Sequence, residues 1–196
     1  MQFLTGLSLR QISPHPDTLV DLGAGTGSSL ELALQFVNPD VCTAVDASKP
    51  MLNLLREKFK EDPRVRVKHM AAADFLAEAT AADTKFRVAQ CISCLYVMPP
   101  EDQRAIISAV PAILPAGGYF IFDYDPFIPG DPTHGQRECT YYGFGTSATE
   151  YRRTPAEVRA DVAASGLEVV HDELVPSRPE TNPGLLVGFM AVRKAA

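Results

Sequence analysis

The 196-residue sequence predicts an α/β fold: a doubly wound, mostly parallel sheet of seven strands whose last strand runs antiparallel. Three observations carry this expectation. Apolar runs of strand length alternate with segments of helical spacing from residue 18 to residue 166, the pattern of a parallel sheet with helices on both faces. A glycine-rich loop, "DLGAGTGSS" at 21–29, follows the first apolar run directly. The last two runs are separated only by the proline-rich "PSRPETNPG" (176–184). A parallel crossover normally takes about a dozen residues or more and usually a helix, so the final strand should lie antiparallel to its neighbour.

Taken in order, "TLVDL" (18–22) reads as a short buried strand and "SSLELALQFV" (28–37) as a helix. "VCTAVD" (41–46) is strand-like, and "KPMLNLLREKF" (49–59) sets Met51, Leu52, Leu55 and Phe59 on one helical face with Pro50 at the helix start. "VRVKHM" (65–70) predicts a strand, "ADFLAEAT" (73–80) a short helix, and "FRVAQCISCL" (86–95) a longer strand. "PEDQRAIISAVPAIL" (100–114) is helical, with a kink expected at Pro111. "GGYFIFDYD" (117–125) is a strongly apolar fifth strand.

In "TPAEVRADVAASG" (154–166), Thr154 caps the helix, Pro155 sits in its first turn, Glu157 completes a capping box and Gly166 ends it. "LEVVHDELV" (167–175) and "GLLVGFMAVRK" (184–194) close the chain as strands. The whole is a Rossmann-like arrangement, read as a single domain over 1–196 with a substrate-side insertion at about 126–150. The insertion, "PFIPGDPTHGQRECTYYGFGTSAT" (126–149), reads as irregular and is longer than an ordinary connection. It carries Phe127, Tyr141, Tyr142 and Phe144, and it follows the carboxyl end of the fifth strand, the edge where open α/β sheets bind ligands.

Composition narrows the function classes. With 46% hydrophobic and 21% charged residues the chain fits a soluble globular domain. A formal net charge of −6 disfavours nucleic acid as a partner, because such proteins usually present a basic face. Four cysteines, Cys42, Cys91, Cys94 and Cys139, read as reduced thiols and not a disulfide framework. The opening "MQFLTGLSLRQIS" lacks a basic n-region and a long apolar core, and no apolar run approaches the roughly 18 residues of a membrane span. The expectation is a cytoplasmic protein with no membrane partner.

The glycine loop departs from the dinucleotide fingerprint G-x-G-x-x-G: Gly23, Gly25 and Gly27 are followed by Ser28 where the third glycine belongs. Asp46, ending the second strand, suits both hydroxyls of a ribose. Asp21 separates the candidate ligands. Its carboxylate beside the loop would repel a pyrophosphate carrying about two negative charges, yet it suits an adenosine ligand with an ammonium group. S-adenosylmethionine (SAM) has such a tail and a sulfonium in place of phosphates.

"VDLGAGTGSS" followed by "AVDASKPML" resembles motif I and the acidic second-strand end of class I SAM-dependent methyltransferases of the small-molecule type. The resemblance continues through "AAADFL", "CLYVMPPEDQRAIISAVPAILPAGGYFIFDYD" and "RTPAEVRADVAASGLEVV", covering roughly residues 18 to 175. It implies SAM as cofactor, held by Asp21, Gly23, Ala24, Gly25, Gly27, Asp46, Ala47 and Met51. Asp74 matches the family's acid near the adenine amino group, Phe75 falls beside the ring, and Cys94 lines the sulfonium pocket. Three departures stand out. Only about seventeen residues precede the first strand, so the lid over SAM is short, comes from another subunit (a second copy or a partner), or is missing here. Arg87 replaces an acid near the start of strand four, and Pro111 interrupts a helix that is usually continuous.

On the substrate side, Tyr96 occupies the place in "CLYVMPP" where such enzymes present a residue to substrate. His134 is the best-placed histidine for a general base, and Asp123 or Asp125 suits a base or an anchor for a substrate amine. Cys91 and Cys94, three apart in a strand, should point to opposite faces and share no metal. No metal is expected. The chain lacks an Asn/Asp-Pro-Pro-Tyr/Phe motif at strand four, which favours O-, N- or C-methylation of a small metabolite. The alternatives are a SAM enzyme with non-methylating chemistry such as cyclisation, a SAM-binding non-catalytic partner subunit, and a nicotinamide oxidoreductase.

Overall fold

The computed structural model describes residues 16–128, 130, 136–141, 146–178 and 182–195. Strands Thr18–Leu22 (β1), Val41–Asp46 (β2), Val65–His69 (β3), Val88–Cys91 (β4) and Tyr119–Tyr124 (β5) alternate with helices Ser28–Phe36 (α1), Lys49–Lys58 (α2), Ala72–Ala81 (α3) and Pro100–Ile113 (α4). A hairpin of Gln136–Tyr141 (β6) and Thr146–Tyr151 (β7) follows. Helix Pro155–Ala164 (α5) and strands Leu167–Arg178 (β8) and Asn182–Lys194 (β9) complete the chain.

Seven strands form one sheet in the order β3-β2-β1-β4-β5-β9-β8. β1 through β5 pair in parallel, while β9 runs antiparallel to both β5 and β8, as the short connection before it requires. The alternation of side chains along each strand divides the core in two. On one face Val20, Leu22, Phe120 and Phe122 meet Phe75 and Leu76 of α3, Ile106 and Val110 of α4, and Val158 of α5. On the other, Leu19, Ala44 and Ile121 meet Leu30 and Leu34 of α1 and Leu52 and Leu55 of α2. Burying each such side chain is worth about 1.5–3 kcal/mol. Strands covered on both faces must be apolar throughout, which is why β1, β2, β4 and β5 were legible as continuous runs.

α5 starts on the expected capping box: the Glu157 N–H donates to Thr154 Oγ1 (3.2 Å) and the Thr154 N–H to Glu157 Oε2 (2.8 Å). Gly166, just past its end, takes a φ of +71°.

Four expectations are corrected. The stretch at 126–149 is not irregular throughout its described residues, because 136–141 and 146–151 pair residue for residue as an antiparallel ladder. The fourth strand is shorter than 86–95: it ends at Cys91, Ser93 turns with a φ of +57°, and Leu95–Val97 form a 3-10 turn. Pro111 does not interrupt α4, which runs on to Ile113. Lying in the last turn, it forfeits a single helical hydrogen bond next to an end that frays anyway. β8 and β9 also extend further toward each other than the apolar runs indicate.

Gly188 of β9 faces Tyr124 of β5 in register, and a Cβ there would lie 2.2 Å from the Tyr124 ring. Gly188→Ala is expected to cost about 1–3 kcal/mol by overpacking, read as a lower midpoint in denaturant unfolding; an unchanged midpoint would contradict the close packing.

Candidate active site at the carboxyl edge of the sheet

The loop leaving β1 is built on glycines in left-handed conformation: φ is +74° at Gly23, +54° at Gly25 and +82° at Gly27. Two of them serve the protein's own packing. A Cβ at Gly23 would lie 2.1 Å from Cys94 Sγ, and one at Gly27 would lie 2.5 Å from the Phe59 ring. Gly25 differs, since nothing lies within 4 Å of the position its Cβ would take. Gly25 is therefore the point of the loop where a ligand can approach the backbone.

The loop is tied to the end of β2. Gly23 and Ala24 both donate to the Val45 carbonyl, at 2.8 and 2.9 Å. Asp46 accepts the Gly25 N–H at Oδ2 (2.8 Å) and the Ser48 N–H at Oδ1 (2.7 Å). Its carboxylate thus holds two loops together and, being half-buried, keeps lone pairs for further donors.

Asp21 is fully buried. Its Oδ2 accepts the Ser29 hydroxyl at 2.8 Å, and its Oδ1 has no hydrogen-bond partner among the described residues. Burial pushes its pKa up to about 7, with Ser29 and Gln90 opposing the rise and the Asp46 charge adding to it. Gln90 is its register neighbour on β4, also fully buried; its amide lies near enough to favour the Asp21 carboxylate but makes no aligned hydrogen bond to it. A cationic donor here would meet an acceptor that the fold leaves unused.

A second buried carboxylate closes the β4–β5 side. Asp123 accepts the Ser93 N–H at Oδ1 (2.7 Å), while its Oδ2 is buried without a partner. Burial lifts its pKa to about 7, the Ser93 hydrogen bonds opposing and the Glu150 charge reinforcing the rise. β7 delivers that Glu150, itself buried, and the residues after β7 add Arg152 and Arg153. The Arg152 Nε lies 3.4 Å from Asp125 Oδ1 and its Nη2 donates to the Pro126 carbonyl at 2.7 Å, while Arg153 pairs with Asp161 of α5. The hairpin is thereby anchored over the ends of β4 and β5.

The other expected site residues fall as follows. Ala24 is buried in the loop; Ala47 is exposed, its carbonyl 3.1 Å from His69 Nε2. Met51 is half-buried in the first turn of α2, and Asp74 is exposed in the first turn of α3, where Ala71 and not Asp74 is the N-cap. Tyr96 is buried in the 3-10 turn. His134 lies outside the described residues, as do Tyr142 and Phe144.

Phe75 is 4% exposed and packs against Phe86, ring centroids 5.8 Å apart, on the core side of α3. One reading is corrected. Cys91 and Cys94 are not on opposite faces of one strand, because the turn at Ser93 folds Cys94 back. A hydrogen bond to Cys94 and burial raise the Cys91 thiol well above its ordinary range. No group of three or more His, Cys, Asp and Glu side chains among the described residues could hold a metal ion.

Sequence reasoning did not single out Ser29, Gln90, Ser93, Glu150 or Arg152. Gln90 left a signal, a lone amide within the apolar strand "VAQC". Ser29 lies within the glycine stretch itself, eight residues from Asp21, while Ser93, Glu150 and Arg152 depend on contacts between distant segments.

The family model described as "Methyltransferase domain" matches residues 19–118. No curated protein matches the chain in sequence. Among solved structures, 1,6-didemethyltoxoflavin-N1-methyltransferase from Burkholderia thailandensis, with bound 1,6-didemethyltoxoflavin and S-adenosylhomocysteine, is 21% identical with a TM-score of 0.73, covering 100% of this chain and 78% of its own. An S-adenosylmethionine-dependent methyltransferase from Clostridium acetobutylicum is 16% identical (TM-score 0.70, covering 100% and 90%). Magnesium protoporphyrin IX methyltransferase from Synechocystis, with bound SAM, is 16% identical (TM-score 0.69, covering 99% and 79%). At these identities the likeness is one of fold.

Because the folded-state pKa of Asp21 is raised from 3.8 to about 7, its burial costs stability once pH exceeds the lower value, and the cost grows until about pH 7. Asp21→Asn is therefore expected to raise the melting temperature of the ligand-free protein near pH 8 and to change it little near pH 4. The same increment at both pH values would show that Asp21 does not titrate between them.

Proposed function

The chain belongs to the family of S-adenosylmethionine-dependent methyltransferase domains, and from that premise we propose that it methylates a nitrogen, oxygen or carbon atom of a small-molecule metabolite. The observation that carries the cofactor assignment to particular residues is the buried, partnerless Oδ1 of Asp21 beside a loop whose Gly25 faces open space. The residues present fit the group. When bound, SAM supplies a methyl group already activated on a sulfonium, so positioning is the main task left to the protein, worth up to about 7–11 kcal/mol in favourable cases.

Asp21 would take the ammonium of the aminoacyl tail, removing the penalty of its own burial. Gly23, Ala24, Gly25 and Gly27 shape the loop that admits the tail. Asp46 would accept the ribose hydroxyls while continuing to hold Gly25 and Ser48, with Ala47 and Met51 alongside. Asp74 would meet the adenine amino group, and Cys94, seated against Gly23, would border the sulfonium. On the acceptor side Asp123, with a pKa near the pH of the cell, suits removal of a proton from the attacking heteroatom. Tyr96 and, outside the described residues, His134 are the further candidates.

Support for a small substrate comes from the negative net charge, which disfavours nucleic acid, and from the hairpin that walls the acceptor side. Two of the structural relatives act on small molecules by name, 1,6-didemethyltoxoflavin and magnesium protoporphyrin IX. No helix among the described residues is long and apolar enough to cross a membrane, in keeping with a cytoplasmic setting. The reading is tested by incubating the protein with SAM and a panel of small nucleophiles: S-adenosylhomocysteine with a methylated product supports it, methylthioadenosine alone overturns it.

Two variants probe the assignments. Asp46→Ala is expected to weaken S-adenosylhomocysteine binding about tenfold or more, or 1.4 kcal/mol, by calorimetry; unchanged affinity removes the ribose role. Asp123→Asn is expected to lower kcat at neutral pH by about 100-fold and to abolish the rise of kcat/KM through pH 7. A retained rise assigns the proton to another group.

A further inference from the structure

We propose that the amino edge of the sheet carries a second ligand site, which takes a small amphipathic carboxylate: an apolar or aromatic body ending in one carboxylate group. A cavity of about 300 Å³ lies between α3 and strands β1 to β3. Thr18 and Val41, the first residues of β1 and β2, line it, so it opens at the opposite edge of the sheet from the glycine loop. Its volume falls at the small end of ordinary ligand pockets, about 300–1,000 Å³.

The floor is apolar. The rings of Phe75 and Phe86, tilted 49° to each other, form it together with Ala79. The rim is charged, with Arg66, Lys68 and Lys85 against Glu78, which stands out in a chain of net charge −6. Two of these cations are engaged. Lys68 pairs with Glu78 at 3.1 Å, while Lys85 pairs with Asp83 at 2.7 Å and donates to the Ala112 carbonyl at 2.6 Å. Arg66 is exposed, and its guanidinium makes no hydrogen bond or ion pair with any described residue.

The ligand class follows from that combination. A free guanidinium presents a planar fork that matches a carboxylate through two parallel hydrogen bonds. An inorganic anion would satisfy Arg66 but leave the aromatic floor wet. A neutral apolar molecule would cover the floor and leave the charge unmatched. An amphipathic carboxylate answers both, with its body on Phe75 and Phe86 and its head at the rim.

Calorimetric titration of the full chain with 2-naphthoate and with neutral 2-naphthamide, with and without saturating S-adenosylhomocysteine, tests the site. The carboxylate is expected to bind about tenfold more tightly than the amide, and Arg66→Glu to erase that preference. Saturation with S-adenosylhomocysteine should leave naphthoate affinity within about twofold, because the two sites lie on opposite edges. Ala79→Phe, which fills the cavity, should abolish binding of both probes. If that variant fails to fold, Arg66→Glu at the exposed rim still decides the question. No binding of naphthoate, equal binding of the amide, full affinity in Arg66→Glu, or displacement by S-adenosylhomocysteine would each overturn the proposal.

Discussion

The carboxylate of Asp46 accepts backbone N–H groups from two separate loops, Gly25 after β1 and Ser48 after β2. Charge-assisted hydrogen bonds of this kind are short and strong, and here they hold the glycine loop open in a conformation that only glycine adopts without strain. Everything on the cofactor side depends on that hold. It sets where Gly25 faces open space, and its charge helps push the Asp21 proton affinity upward. The same loop leaves room for Cys94 against Gly23, so the end of β4 is brought in by the same packing.

Two buried carboxylates then give the edge its chemical character. Asp21 and Asp123 each spend one oxygen on an internal donor and leave the other unmatched, with pKa values pushed to about 7. Such groups weaken the empty fold near neutral pH, since burial disfavours their charged forms. The proposed function would offset that cost, with a cation beside Asp21 and a proton donor beside Asp123. The hairpin over β4 and β5 deepens the effect at Asp123, because Glu150 on β7 adds a neighbouring negative charge.

The two edges of the sheet differ in the same terms. At the carboxyl edge strand ends and loops converge, exposing backbone N–H groups and acids. At the amino edge the cavity beneath α3 has an aromatic floor and a cationic rim. α3 spans both, with Asp74 toward its start, Ala79 toward its end and Ala82 just past it.

The order of elements, the antiparallel last strand and the identity of the loop acids were legible in the sequence, because strand and helix periodicity and glycine placement are local properties. Val41–Asp46 and Thr18–Leu22 begin and end where their apolar runs do. The extent of β4 was not, since the turn at Ser93 is set by a carboxylate thirty residues away on β5. The pairing of β6 with β7 lacked a strong alternating pattern and emerged only as a ladder. Phe75 sits beside Asp74 in sequence but points into the core, a separation that the helix imposes. Sequence alone determined which acids and glycines gather after β1 and β2. Tertiary structure decided which oxygens remain unmatched, because hydrogen bonding and desolvation depend on neighbours that only the folded chain brings together.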